Sequence, residues 1–174
     1  IDIRQNDDGA FPIHPLNASN PLETAEYFVN NELTHRALGA VKFDYNLFRA
    51  DNMNLDFLAV AGADFYNQEN EVFIPPTLQI ERDLSEPGQS VMTTTDNLNT
   101  NLSLNVVHKM KMPGMNFNTT AGLQYETNDW NSVFVHAKGM IPTQTNVDKA
   151  SSQSVYHDRS MRQDRGMFFQ EEGT

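Results

Sequence analysis

The chain has 174 residues, of which 39% are hydrophobic, and a formal net charge of −11 at neutral pH. This length suits one ordinary domain, and the acidic excess argues against nucleic-acid binding, which needs surplus lysine and arginine to meet the phosphates. Because the chain has no cysteine, disulfide scaffolds and thiolate metal sites are excluded. No apolar run reaches the roughly eighteen residues that predict a membrane-spanning helix.

Residues 1–33 are predicted to form an irregular outer segment with one short helix. Several prolines and an Asp-Asp-Gly sequence, typical of a turn, interrupt any periodicity. The helix is expected at about 21–31. Asn20 is a favourable N-cap residue, and Pro21 suits the first helical position. Glu23 stands where a capping box places an acidic side chain.

Two stretches of alternating residues predict a β-hairpin over residues 36–66. Alternate positions from Ala37 to Leu47 are mostly apolar, and the second stretch, from Leu55 to Phe65, repeats the pattern. A period of two is typical of a strand with one apolar face. Each stretch is long enough for a tilted strand to cross a bilayer, which takes about nine to eleven residues. Long hairpins also occur in soluble sandwiches, so this hairpin leaves both possibilities open.

Residues 98–126 show the sharpest alternation and predict a second hairpin. From Leu98 to Met112 the even positions are mostly apolar, and the odd positions are mostly asparagine, serine and lysine. Pro113-Gly114 predicts a type II turn, since proline fixes the first central angle and glycine accepts the positive second one. A face made of amides and hydroxyls favours the wet interior of a β-barrel over the charged outer face of a soluble sandwich.

The predicted connections fall into two length classes that alternate along the chain. The short turns lie at 49–54 and 112–115, and the long segments lie at 1–33, 67–97 and 127–165. A further strand is predicted to begin at residue 166. Outer-membrane barrels sort their connections in this way, with short periplasmic turns and long outer loops. We therefore predict an all-β fold in which antiparallel strands form part of a transmembrane β-barrel. Residues 34–174 are predicted to form part of the barrel wall, and the long loops are predicted to be extracellular.

A series of short motifs runs through the chain from about residue 20. The early ones are Asn20-Pro21-Leu22, Arg36-Ala37-Leu38-Gly39, Phe43-Asp44-Tyr45 and Gly62-Ala63-Asp64-Phe65-Tyr66, followed by Pro75-Pro76. The later ones are Ala121-Gly122-Leu123-Gln124-Tyr125-Glu126, Gln144-Thr145-Asn146-Val147-Asp148-Lys149-Ala150 and Arg165-Gly166-Met167-Phe168-Phe169-Gln170. In this order and spacing, the series resembles the barrel of the SusC/RagA-like TonB-dependent transporters of Bacteroidetes.

The resemblance implies a nutrient importer for oligosaccharides or peptides in the bacterial outer membrane. Such importers work with a SusD-like surface lipoprotein and are driven through TonB. The implied partners are therefore that lipoprotein, the TonB complex through a region outside this chain, the plug domain, the remainder of the barrel, and outer-membrane lipid. The family's plug, TonB box and C-terminal aromatic strand have no counterpart here, so we expect an internal segment of a larger protein. An open sheet alone would expose unpaired backbone to hydrocarbon.

Sequence motifs for catalysis, metal binding and phosphate binding are absent. The five histidines include no HExxH pair, and there is no GxSxG elbow and no GxGxxG or GxxxxGK[ST] loop. We expect neither enzymatic activity nor a cofactor or metal. We assign no functional role to the Asn-x-Ser/Thr triplets that begin at Asn17, Asn101 and Asn118.

Trp130 and Tyr156 are the candidate substrate contacts, because both lie in predicted outer loops. Their rings are able to stack on a sugar or a peptide side chain, although Trp and Tyr are also the usual girdle residues at the membrane rim. The alternative function is a secreted or surface β-sandwich that binds carbohydrate or protein through its loops. A second sheet packed on the apolar row would favour that alternative; the row includes Leu102, Leu104, Phe117 and Leu123.

Overall fold

The computed structural model describes residues 2–16 and 19–174, which form one sheet with few helical turns. In chain order the elements are α1 (Pro21–Tyr27), β1 (Val29–Ala50), β2 (Met53–Ile74), β3 (Gln89–Met112), β4 (Met115–Lys138), a 3-10 turn (Val147–Lys149) and β5 (Ser152–Gly173). The sheet has five antiparallel strands in the order β1-β2-β3-β4-β5. Each strand therefore pairs with its sequence neighbours, and β1 and β5 are the edges.

The predicted fold class is confirmed. The chain is all-β, and its open antiparallel sheet is consistent with a segment of a barrel wall. Residues 36–66 lie in β1 and β2, and residues 98–126 lie in β3 and β4. Gly114 has a φ of 82°, which is the positive angle that a type II turn requires at its second central residue. Among the described residues, no helix is both long and apolar enough to cross a bilayer.

The strands extend well beyond the predicted hairpins, and this corrects the predicted loop bounds. The loops expected at 67–97 and 127–165 are found at 75–88 and 139–151, and the strand expected from residue 166 begins at Ser152. Parts of the strand extensions carry polar side chains on both faces, as in the Asn67-Gln68-Glu69-Asn70 stretch of β2. Such strands have no hydrophobic period, yet the neighbouring strands still satisfy their backbone hydrogen bonds.

Helix α1 begins where it was predicted and ends earlier. The side chain of Asn20 accepts hydrogen bonds from the backbone N–H groups of Leu22 and Glu23, at 2.9 and 3.4 Å, as an N-cap should. The helix ends at Tyr27 rather than near residue 31, because β1 already begins at Val29 and pairs with β2. The triplet at Asn17 begins outside the described residues.

The chain divides into two compact units, and every strand contributes residues to both. The first unit contains the described residues up to Thr34 together with Asn67–Thr95 and Ser132–Asp158. The second contains His35–Tyr66, Asp96–Asn131 and Arg159–Thr174. Both long loops belong to the first unit and both two-residue turns to the second.

The first unit has a small apolar core and well-ordered loops. Phe73, Ala137 and Met140 are buried and pack with Val29, Val147 and Ala150. In the loop 75–88, Leu78 is fully buried, and the buried carboxylate of Glu81 accepts hydrogen bonds from Gly88 N–H at 2.9 Å and Gln89 Nε2 at 2.8 Å. These contacts hold the loop in place, although residues 75–88 form no strand.

Glu23 does not close the capping box that the sequence predicts. Its buried carboxylate accepts a hydrogen bond from the backbone N–H of Gln79 at 3.2 Å, and it pairs with the guanidinium of Arg82 at 3.4 Å. The physical reason is that the loop 75–88 brings a backbone donor and a cation together at this carboxylate. Glu23 therefore joins α1 to the loop within the first unit.

Candidate functional site

One side of the sheet in the second unit is apolar. Cross-strand contacts show which residues share this side: the rings of Phe43 and Phe57 lie 6.5 Å apart, the Thr100 and Thr127 hydroxyls lie 2.6 Å apart, and Arg165 lies over the Tyr125 ring. Side chains alternate along each strand, so the same side carries the rest of the apolar row. We call it the apolar face; it includes Val41, Phe43, Phe57, Phe65, Leu102, Leu104, Phe117, Leu123 and Phe169.

Within the described residues nothing covers the apolar face with a second sheet, since all five strands belong to one sheet. Leu123 is 56% exposed, and Phe169 is 71% exposed. A contiguous exposed apolar surface of this kind marks contact with a membrane or another protein. The packing that would favour a soluble sandwich is therefore missing from the described part of the chain.

The opposite side of the second unit is polar and internally paired. The guanidinium of Arg36 binds both oxygens of Asp64, at 2.9 and 2.7 Å. The Asn128 amide donates hydrogen bonds to the side-chain oxygens of Asn97 and Asn99. We call this side the polar face; it also includes Asn46, Asn54, Asp56, Asn101, Asn105, Gln124, Glu126, Arg162 and Asp164. Asp64 and Asp164 pair with arginines, Asp56 and Glu126 accept hydrogen bonds from side-chain amides, and amides also bond to one another across strands.

A cleft of about 710 Å³ opens on the polar face of the second unit. Its lining includes the carboxylates of Asp64, Glu126 and Asp164, and it passes over Gly62. A Cβ at this position would meet the side-chain amide of Asn101, which would have to move aside. The cleft offers amides and paired ions, which suit a hydrated ligand or a polar protein surface. Among the described residues, no group of three or more His, Cys, Asp or Glu side chains is placed to hold a metal.

The two candidate substrate contacts lie on strands and not in outer loops, which corrects their predicted setting. Trp130 is half-buried on β4 in the second unit, and Tyr156 is exposed on β5 in the first unit. The strand extensions described above explain this change. The Tyr156 ring lies 5.9 Å from the Phe134 ring, and Phe134 lies 6.3 Å from His136. Sequence reasoning missed these two neighbours, because only the pairing of β4 with β5 brings them to Tyr156.

The loop-bearing first unit carries exposed ion pairs. Arg4 donates hydrogen bonds to the Asp2 side chain and holds the pKa of that carboxyl below its usual value. The hydrogen bond from Lys149 to Asp148 raises the pKa of the lysine. Both ion pairs lie at the surface, since the side chains of all four residues are at least half exposed.

Three solved structures share the strand arrangement of this chain. For the RagAB peptide importer in its open-open state the TM-score is 0.70 at 14% sequence identity, over 97% of this chain and 19% of that chain. The fold is similar to part of the RagAB peptide importer. The closed-closed state of RagAB matches with a TM-score of 0.68, and a further structure of the RagAB peptide transporter with 0.67; both matches have 14% identity and cover 96% of this chain and 19% of that chain.

The similarity to RagAB concerns the fold, because the sequence identity is only 14%. The chain spans about a fifth of the length of each RagAB chain that it matches, since 19% of that chain is covered. No family model and no curated protein matches the sequence. The similar structures are those of a peptide importer.

Proposed function

We propose that this chain is a wall segment of a SusC/RagA-like, TonB-dependent importer in the bacterial outer membrane. The observation that supports it best is the separation of an exposed apolar face from an amide-rich polar face on the same strands of the second unit. In a barrel wall the apolar face contacts lipid and the polar face lines a water-filled interior. The fold similarity to a peptide importer over 97% of the chain supports the same function.

The length of the apolar row fits a bilayer. On β2 the apolar face runs from Leu55 to Phe65, which is about 33 Å of extended chain at about 3.3 Å per residue. When a strand of this length is tilted by about 40° from the membrane normal, it spans about 25 Å of the membrane. Outer-membrane barrels carry an apolar band about 25 Å tall. The strand extensions then project beyond the hydrocarbon.

The remainder of the barrel would complete the sheet at both edges. In hydrocarbon an unpaired strand edge costs several kcal/mol for each unsatisfied backbone group, so β1 and β5 each need a neighbouring strand. The two-residue turns then lie on the periplasmic side, and the loops 75–88 and 139–151 lie outside with α1 and the segment before it. The polar face adjoins the plug domain, and TonB acts through a region outside this chain.

The cargo is a peptide or an oligosaccharide, and a SusD-like lipoprotein receives it on the outer side. The loops of the first unit are the natural contacts for the lipoprotein, because buried hydrogen bonds already order them. Trp130 and Tyr156 are the aromatic side chains that we propose for cargo contact. No residue of the chain acts as a catalyst in this function.

Membrane extraction of the intact protein that contains this chain tests the proposal. We expect the protein to fractionate with outer membranes, to need detergent for release, and to bring a surface lipoprotein with it during affinity purification. Release by buffer or carbonate washing, with a monodisperse protein in the absence of detergent, would contradict the proposal. A detergent-dependent protein that brings no lipoprotein would contradict the proposed pairing alone.

A further inference from the structure

Arg165 places a positive charge on the apolar side of the second unit. Its guanidinium carbon lies 5.6 Å from the centre of the Tyr125 ring, within the range of a cation–π contact. Two other arginines of the same strand bind aspartates: Arg159 binds Asp129 at 2.9 Å, and Arg162 binds Asp164 at 2.7 Å. Among the described residues, no carboxylate forms an ion pair with Arg165.

The side chains next to Arg165 on this side of the sheet are uncharged. Side chains alternate along a strand, so two residues of β5 and two of β4 flank the contact between Arg165 and Tyr125. They are Gln163, Met167, Leu123 and Thr127. An amide and a hydroxyl therefore lie on the side away from the two-residue turns, and two apolar side chains lie on the side toward them.

The closest carboxylates on this side belong to Asp129 and Glu171, and both have other partners. Asp129 lies four residues beyond Tyr125, which is about 13 Å along β4, and it binds Arg159. Glu171 lies six residues beyond Arg165, which is about 20 Å along β5, and it accepts a hydrogen bond from Thr119 at 2.7 Å. Arg165 is thus the cation on this side that remains available for an external anion.

The contact with the ring leaves the hydrogen-bond donors of Arg165 available. A guanidinium carries five N–H donors in one plane, and its forked edge matches two oxygens of a phosphate. When the guanidinium lies over a ring, the ring takes up one face of the plane and the edge stays open. The next strand of the barrel would pair with the backbone edge of β5, so the outward side of β5 would remain uncovered.

Arg165 lies where the apolar face ends on the side away from the two-residue turns. On β2 and β3 the apolar face reaches Phe65 and Leu98, which line one shallow cavity together with Asp129. At the level of that cavity β4 is already polar, and its apolar face ends four residues earlier, at Tyr125. The end of the apolar face therefore steps toward the turns from β2 to β5.

This step is the one that tilted strands require. Strands about 4.8 Å apart and tilted by about 40° are displaced from one another by about 3 Å along the membrane normal. From β2 to β5 the displacement reaches about 9 Å, and the four residues between Asp129 and Tyr125 correspond to about 10 Å of height at the same tilt. Arg165 and Phe65 then lie at nearly the same height, at the border between hydrocarbon and head groups.

We propose that Arg165, supported by Tyr125, binds the phosphate of a phosphorylated glycolipid of the lipid A class in the outer leaflet. The inference rests on the proposed function, which places this end of the apolar face in the outer leaflet. The phosphate accepts hydrogen bonds from the open edge of Arg165, and the sugar hydroxyls and amides reach Gln163 and Thr127. The acyl chains lie along the apolar face.

The chemistry of the site favours a glycolipid phosphate over the phosphate of a phospholipid. A phosphate monoester carries about −1.5 to −2 charges at neutral pH, whereas the phosphodiester of phosphatidylglycerol carries a single charge. The uncharged amide and hydroxyl beside Arg165 suit a sugar, which brings no second charge to be neutralised. A tyrosine at the membrane border also has its usual position, with the ring beside the head groups.

Native mass spectrometry of the intact protein in detergent tests the site. The protein is stripped of bound lipid and titrated with lipid A, with lipid A from which the phosphate has been removed, and with phosphatidylglycerol. The variants are Arg165→Ala, Arg165→Lys and Tyr125→Phe. The matched control is Arg162→Ala, which removes the same charge from the polar face of the same strand. Thermal unfolding midpoints are measured for every variant.

We expect the wild type to bind lipid A at least about tenfold more tightly than the dephosphorylated form, since hydrogen bonds to a charged group are lost with the phosphate. Arg165→Ala should weaken lipid A binding by a similar factor and leave the dephosphorylated form unaffected. Arg165→Lys should lose less, because it keeps the charge and loses the fork. Tyr125→Phe and Arg162→Ala should behave like the wild type, since the first keeps the ring and the second lies on the other face.

Three results would overturn the site. The first is unchanged lipid A binding in Arg165→Ala; if its unfolding midpoint also falls, Arg165 instead pairs with a protein carboxylate. The second is an equal loss in Arg162→Ala, which would show general charge attraction. The third is phosphatidylglycerol binding as tight as that of lipid A. If Arg165→Ala does not fold, the comparison of phosphorylated and dephosphorylated lipid A on the wild type still decides the question.

The wild type alone separates this inference from the proposed function. If the intact protein needs detergent and binds both forms of lipid A equally well, the Arg165 site is wrong and the importer function stands. If it is monodisperse without detergent and binds no lipid, the importer function is refuted, and the site is refuted with it.

Discussion

The order of the loop 75–88 should depend on the carboxylate of Glu81. This side chain is 2% exposed and accepts hydrogen bonds from the backbone N–H of Gly88 and from the side chain of Gln89. Glu81→Ala removes both acceptors and leaves the buried Gly88 N–H and the half-buried Gln89 amide without them. Glu81→Gln keeps the shape and one acceptor oxygen, so it should lose only part of the stabilisation.

The size of the effect follows from the two bonds. Hydrogen bonds to a charged group contribute about 1.5–3 kcal/mol each, so the loss of both in Glu81→Ala should lower the free energy of local opening by about 3–6 kcal/mol. Glu81→Gln should lower it by about 1.5–3 kcal/mol. At about 1.4 kcal/mol for each factor of ten, the population of the open loop should rise at least about a hundredfold for alanine.

Hydrogen exchange of the intact protein in detergent measures this opening. Peptides covering residues 75–88 should exchange at least about a hundredfold faster in Glu81→Ala, since exchange follows the open population. Asp83→Asn is the matched control, because Asp83 is an exposed acid of the same loop and its replacement removes the same charge. If Glu81→Ala and Asp83→Asn exchange within twofold of each other, the buried carboxylate does not order the loop.

Three further substitutions probe other parts of the fold. Asn20→Ala should speed exchange in α1, because it removes the acceptor for the Leu22 and Glu23 N–H groups; unchanged exchange would contradict the capping role. Gly122→Leu should lower the thermal unfolding midpoint by several degrees, because a Cβ there meets the Phe168 ring; an unchanged midpoint would contradict this packing. Arg36→Ala should leave the midpoint unchanged, since its pair with Asp64 is solvent-exposed, and a large fall would show that the pair is structural.

The two faces of the strands could be predicted from the sequence because strand alternation is local. From Leu98 to Met112 most apolar residues have polar neighbours on both sides, and this pattern alone assigns the two faces. The Pro113-Gly114 turn was predictable for the same reason, since its two residues carry the required backbone angles.

The ends of the strands and the buried carboxylates depend on distant parts of the chain. The first residues of β3 carry mostly polar side chains on both faces, so only pairing with neighbouring strands identifies 89–97 as strand. The partner of Glu23 is a backbone N–H group of Gln79, 56 positions away, and no local motif indicates it. The cluster around Tyr156 likewise forms only when β5 lies beside β4.

A nitroxide scan along β3 in lipid vesicles tests most directly whether the two faces meet lipid and water. Single cysteines are introduced at each position from Leu98 to Met112 in the intact protein, and this chain contributes no competing cysteine. Collision rates are then compared for oxygen, which concentrates in lipid, and for a water-soluble nickel chelate. We expect oxygen contact to peak at the even positions and chelate contact at the odd ones, with a period of two. Equal chelate contact on both faces, or no alternation, would contradict the barrel-wall function.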